Sequence, residues 1–203
     1  MDINDARPRA ERRQQEIAVA ARALIAERGF EGLRTRDIAD RVGINVATLH
    51  YHVPTKQALI RLVAQSLHDD FVDQHRCRPR EGLSPLDLLR LEFRDYRENM
   101  ERRPDLLVVF AEMHARAPRD ADVQAETEPM QAYWHGQFVS VLEAGVADGS
   151  FRADLDPVAA ASMIICALTG ARRLPDKSFA HFDALCAEIL RSMRNPNAPP
   201  EVT

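Results

Sequence analysis

Cysteine is scarce: three residues in 203, an odd number with no CxxC pair, so neither a disulfide framework nor a zinc site is written into the chain. Cys77, Cys166 and Cys186 read as free and mostly buried thiols. Glycine numbers only 8 and aromatics only 6%, too few for an all-β design. No apolar run is long enough to cross a bilayer, since the longest, Val158 to Leu168, falls short of the roughly 20 residues required. Met1 to Arg13 is charged and lacks the apolar centre of a secretory signal, so a cytoplasmic protein without a membrane segment is expected. Lysine is almost missing, with only Lys56 and Lys177 among 27 basic residues, a bias expected of a GC-rich coding sequence. Glu-x-x-His, His-Glu-x-x-His, a phosphate-binding glycine loop and GxSxG are all absent, which argues against a di-iron bundle or a hydrolase. No catalytic residue, metal or cofactor is therefore expected.

What is present is an ordinary globular composition, 45% apolar and 29% charged, with a net charge of −4. That charge is unevenly placed. Residues 1–60 hold ten Arg or Lys against eight Asp or Glu, a net of +2, and the remainder is net −6. Basic character belongs to the N-terminus.

The apolar spacing is helical throughout, with no strand alternation and no internal repeat. Ile17, Ala20, Ala21, Leu24 and Ile25 recur at three and four, predicting a helix from about Arg12 to Arg28 that stops at Gly29. Thr35 reads as the cap of a short second helix ending at Gly43, and Asn45 as the cap of a third that ends at Val53-Pro54. From Thr55, Leu59, Leu62, Val63, Leu67 and Phe71 trace one face of a long fourth helix, broken by the stretch from Arg78 to Leu83. Ser84-Pro85-Leu86-Asp87 is a helix start, and further helices are predicted at 85–102, 104–117, 123–147, 157–173 and 178–194, the fourth of these opened by Asp156-Pro157. The boundaries expected are 1–57 for an N-terminal domain, with 1–11 a disordered basic arm, 58–195 for a larger helical domain, and 196–203 for a disordered tail.

Within the stretch from Arg36 to Val53 the demands of a helix-turn-helix are met together. Ala39 is small where two helices cross, Gly43 sits at the tight turn, and Ile38, Val42, Ile44 and Leu49 point into a small core. Such a unit offers its second helix to the DNA major groove. The stretch from Gly29 to Ile44, with Ala47 to Leu59 after it, resembles the TetR family of transcriptional regulators. Gly149 to Pro157 is similar to a junction in that family's C-terminal domains. The resemblance implies an all-α fold, with a three-helix helix-turn-helix domain followed by a larger helical ligand-binding and dimerisation domain. It implies phosphate contacts from Thr35, Thr48, His52 and Lys56, and groove contacts from Arg36, Asn45, Val46, Ala47, His50 and Tyr51. The chain departs from the family pattern at Ala47, usually Gly, and in the run His50-Tyr51-His52, which leaves open which of the three reads a base.

The resemblance further implies a homodimer bound to double-stranded operator DNA and released by a small apolar or amphipathic effector. An activator, or a regulator answering to a partner protein, is the alternative. Phe93, Tyr96, Met100, Phe110, Met113, Trp134, Phe138 and Met163 are expected to enclose the effector, with Arg97 and His114 at a polar end. His114 and His135, on separate helices, read either as groups that orient a ligand or bind metal or, as such residues more commonly are, as polar residues in or near a core. Because Val158 to Leu168 is apolar almost all round, the dimer is expected to form through the helices at about 157–173 and 178–194, with Phe179, Phe182, Leu185, Ile189 and Met193 as the matching stripe. Arg7, Arg9, Arg12 and Arg13 read either as an arm reaching the minor groove or as a solvated tail.

Overall fold

The computed structural model describes residues 9–174 and 178–197, and nine α-helices, with no named strand, account for most of them. They are α1 (Arg9–Arg28), α2 (Thr35–Val42), α3 (Val46–His52), α4 (Lys56–Arg76), α5 (Pro85–Arg102), α6 (Pro104–Arg116), α7 (Ala121–Ala147), α8 (Pro157–Ala171) and α9 (Phe179–Met193). The chain divides into two compact units. One takes the residues up to Cys77 together with Arg103–Met130, and the other Arg78–Arg102 with the residues from Gln131 onward. In this division α4, α6 and the beginning of α7 fall in the same compact unit as the helix-turn-helix.

In the first unit α1 is the central helix, packed against α2, α3, α4 and α6. Ile17, Ala18, Ala20, Ala21, Leu24 and Ile25 are all buried, a broad stripe that one neighbour alone could not cover. Arg22 is buried on the same helix. It donates to Ser66 Oγ at 2.9 Å and Asp70 Oδ2 at 2.5 Å, and Arg103 reaches the same Asp70 oxygen at 2.5 Å, so one carboxylate ties α1, α4 and the start of α6. The helix begins at Arg9, earlier than the apolar periodicity predicts. Arg9, Arg12 and Arg13 are thus helical rather than part of an arm, while Arg7 and the tail from 198 onward lie outside the described residues.

Local chemistry sets the short helices. Gly43 closes α2 in the left-handed conformation at φ 74°, where a Cβ would be strained. Asn45 caps α3 by accepting from Thr48 N at 2.7 Å, and Thr55 caps α4 by accepting from Ala58 N at 3.0 Å. Thr35 does not cap α2. The extended residue there is Arg34, whose side chain has only donors, and Thr35 is the first helical residue.

In the second unit α9 packs against α5 and α8. Asp156 opens α8 by accepting from Val158 N at 3.0 Å and Ala159 N at 3.1 Å. Phe151 is buried in the notch left by Gly145, where an added Cβ would fall 2.0 Å from its ring. Backbone bonds from Arg152 N to Met193 O and from Asn195 N to Ser150 O, both 3.0 Å, then fasten this junction to the end of α9. Two expectations change here. Phe182, Ile189 and Met193 are buried within their own chain, so they are not free to form a dimer stripe. Cys77 and Cys166 are exposed, and only Cys186 is buried, its thiol pushed up to about 12 by that burial. No helix among the described residues is long and apolar enough to cross a membrane.

Candidate nucleic-acid interface

The outward face of α3 follows from one anchor. Leu49, 1% exposed, is the residue by which the helix holds to its unit, and at 100° per residue Ala47 and Tyr51 then point directly away from it. Tyr51 is 83% exposed, and its ring meets the ring of His52 edge-on with centroids 5.2 Å apart. His50 and Asn45 are exposed beside it, and Val46, Thr48 and His52 are half-buried on the flanks. Of the three residues left open by the sequence, Tyr51 stands at the centre of the face, and His52 lies toward the anchored side.

Thr35 and Arg36 are exposed at the start of α2, and Arg36 makes no ion pair among the described residues. Since no side chain caps this terminus, the first N–H groups of α2 are open to an oxygen ligand, the kind of site that accepts a phosphate. Two other arginines of the region fasten helices together. Arg41 grips Glu27 with both terminal nitrogens, at 2.8 and 2.9 Å, and Arg28 reaches Asp37 at 3.0 Å. Lys56 is exposed at the start of α4, with Nζ 3.3 Å from Asp120 Oδ2. This pairing joins residues 64 apart in sequence, and the sequence carries no signal for it.

The expected effector residues divide between the units. In the second, Tyr96 is sandwiched between Trp134 (centroids 6.2 Å, planes 4° apart) and Phe182 (5.9 Å, 14°), and Trp134 meets Phe138 at 5.7 Å. Burial pushes the Tyr96 hydroxyl up to about 12, so it stays protonated as a hydrogen-bond donor. Phe93 is buried and Met100 half-buried on the same α5. Arg97 offers no free polar end: its Nε lies 3.0 Å from Asp183 Oδ1 and its guanidinium sits 4.8 Å over the ring of Phe179. Met163 does not point inward either, being 49% exposed on α8.

Phe110, Met113 and His114 belong to the first unit. Phe110 packs edge-on against Phe71, and His114 Nδ1 lies 2.8 Å from the Phe110 carbonyl oxygen. Burial lowers the His114 pKa, which favours the neutral ring of a core residue. His135 Nε2 is 3.1 Å from Ser162 Oγ, and no group of three potential metal ligands occurs among the described residues.

Comparison with known proteins gives a consistent result. Residues 17–63 match bacterial regulatory proteins of the tetR family, and residues 85–193 match the C-terminal region of BetI-type transcriptional repressors. The HTH-type transcriptional repressor KstR2 of Mycolicibacterium smegmatis is 30% identical over 147 residues, 71% of this chain and 70% of that protein. The structure of the ketosteroid transcriptional regulator KstR2 of Mycobacterium tuberculosis superposes with a TM-score of 0.67 at 23% identity, covering 90% of this chain and 95% of that one. A TetR-family transcriptional regulator from Agrobacterium tumefaciens superposes with a TM-score of 0.79 at 22% identity over 91% and 99% of the two chains, a likeness of fold alone. With an exposed α3 held out on a single anchored leucine, and with family matches over both its N- and C-terminal parts, the chain belongs to the tetR family of bacterial regulatory proteins and is a DNA-binding transcriptional repressor.

Proposed function

We propose that the protein works in the cytoplasm as a homodimer that holds a pseudo-palindromic operator through α3 of each copy and releases it when a small apolar or amphipathic molecule binds. The observation that carries this reading is the bare face of α3, where Tyr51 is 83% exposed and meets edge-on the ring of its neighbour His52. Base contacts are assigned to Tyr51, Ala47, Asn45, Val46, His50 and Arg36, and phosphate contacts to Thr35, Thr48, His52 and Lys56, with the open N-terminus of α2 supporting Thr35. No catalytic role is assigned.

The dimer is assigned to α8 and α9, supported by the outward apolar residues Val158 and Met163, which their own chain leaves about half exposed. The effector is assigned to the aromatic group of the second unit, Phe93, Tyr96, Trp134 and Phe138 with Met100 beside them, because stacked rings and a methionine offer large and adaptable apolar surface. Met163 is excluded by its exposure. Release requires the effector to favour a dimer geometry that no longer matches the groove, since equal affinity for both geometries shifts nothing. A coupling of about 3 kcal/mol would weaken operator binding roughly a hundredfold.

Trp134 is the only tryptophan and provides the test. Molecules that release operator should change its fluorescence with the same concentration dependence as release. Effectors that release DNA and leave Trp134 untouched would place their site elsewhere.

A further inference from the structure

Lys56 is the expected phosphate contact of α4, yet its ammonium is already engaged. It is the first rung of a polar ladder between the start of α4 and the start of α7, in which Lys56 Nζ meets Asp120 Oδ2 at 3.3 Å, Gln57 Nε2 donates to Asp122 Oδ1 at 3.1 Å and Arg61 Nε donates to Glu126 Oε1 at 2.9 Å. Asp120 is the junction. Its Oδ2 also accepts from Arg116 Nε at 2.9 Å, and Arg116 in turn pairs with Glu31 and lies over the ring of Phe30. Its Oδ1 lies 3.4 Å from Val123 N and caps α7. Arg116 first, and then Lys56, hold the Asp120 carboxyl down to about 2, so its charge persists at any pH at which a DNA duplex is stable.

We propose that Asp120 attenuates operator affinity by holding Lys56 in competition with a backbone phosphate, and is thus the positioning residue through which the start of α7 sets the strength of that contact. An ammonium beside a carboxylate meets an incoming phosphate as a neutral pair instead of as a full positive charge. Because lysine has three donors it can touch both oxygens, so the loss is electrostatic rather than steric. It also recruits less DNA-bound counterion release, which is where most of a phosphate contact's affinity arises. Glu31, Arg116, Asp120 and Lys56 form one chain of charges, so any displacement of the α6–α7 turn that draws Asp120 toward Arg116 frees Lys56, and the reverse displacement masks it. The inference rests on Lys56 being a phosphate contact in the function proposed above.

The test is a double-mutant cycle on the full-length protein with an operator duplex, measuring affinity across a series of salt concentrations. Asp120→Asn removes the charge and keeps a good helix cap, as does Asp120→Ser as a second variant, and melting curves check that both fold. Each should bind operator about three- to tenfold more tightly than wild type, counting both half-sites, the size expected of relieving an exposed charge interaction twice. Lys56→Ala should cost little in wild type. In the Asp120→Asn background it should abolish the gain and flatten the salt slope by close to two units, about 0.9 for each lost phosphate contact. Unchanged or weaker binding by both Asp120 variants, or an equal cost of Lys56→Ala in both backgrounds, overturns the role of Asp120 and leaves the phosphate contact standing. No effect of Lys56→Ala in either background removes the contact itself, and the proposal with it. Absence of specific DNA binding by wild type would instead defeat the function on which both depend.

Discussion

Leu49 and Tyr51 stand two residues apart on α3 and should behave in opposite ways. Leu49 is 1% exposed and is the only residue of that helix that is fully buried, so Leu49→Ala removes three methyl or methylene-sized groups from a site that a seven-residue helix cannot easily collapse into. The expected loss is about 2–5 kcal/mol. For a chain of this size that corresponds to a fall in melting temperature of about 4–20 °C. Tyr51 is 83% exposed and touches only the edge of His52, so Tyr51→Ala should change stability by less than about 0.5 kcal/mol. If its ring meets a base edge, the same substitution costs roughly 1–3 kcal/mol per half-site, a factor of about five to 150 in affinity, and relaxes sequence preference at one position of each half-site. Thermal melting followed by circular dichroism, beside fluorescence-anisotropy titration of operator and scrambled duplexes, separates the two effects. A Tyr51→Ala protein that melts as early as Leu49→Ala, or that binds operator and scrambled DNA in the wild-type ratio, would show that α3 does not present the face described.

Asp70→Ala should destabilise the first unit by about 3–5 kcal/mol in chemical denaturation, because it strands the buried Arg22 guanidinium; a change below 1 kcal/mol would mean that Ser66 alone satisfies it. Asp120, held down to about 2 in the folded chain against about 3.9 when unfolded, contributes stability that is fully present above pH 4–5 and lost as pH falls toward 2. The difference in urea midpoint between wild type and Asp120→Asn should therefore shrink between about pH 4 and pH 2, and a gap constant across that range would contradict the ion pairing. Met163→Arg places a charge on the half-exposed apolar face of α8 and should turn the dimer into a helical monomer by light scattering. Persistence of the dimer would move the interface off α8.

The fold was legible wherever a local rule governs it. Asn45, Gly43 and Val53-Pro54 bound α3 through a cap, a left-handed glycine and a pre-proline residue, all of which act within a few positions. Thr35 misled for the same local reason. Capping preference favours threonine over arginine, but here Arg34 takes the extended conformation with no side-chain cap, so the rule pointed one residue too far along the chain. The arginine-rich start read as a solvated arm by its charge, yet Arg, Ala, Glu and Gln are all strong helix formers, and α1 simply continues back to Arg9. Nor is apolar composition a guide to which side of a helix is covered. Phe182, Ile189 and Met193 satisfy their own chain's core, while Val158 and Met163 on a neighbouring helix face outward. The pairing of Lys56 with Asp120, and of Asp70 with Arg22 and Arg103, joins residues between 33 and 64 positions apart, at distances set by packing rather than by any local pattern.

Selection of bound sequences from a random pool of duplex DNA tests most directly whether the face of α3 is a DNA-reading surface used twice. The wild-type protein should enrich an inverted repeat whose half-sites are one or more helical turns apart, about 34 Å or a multiple of it, as a two-fold dimer requires. Tyr51→Ala should lose preference at one symmetric pair of positions within that repeat. Enrichment of no sequence, of a sequence without two-fold symmetry, or of the same repeat at the same strength by Tyr51→Ala would contradict the interface.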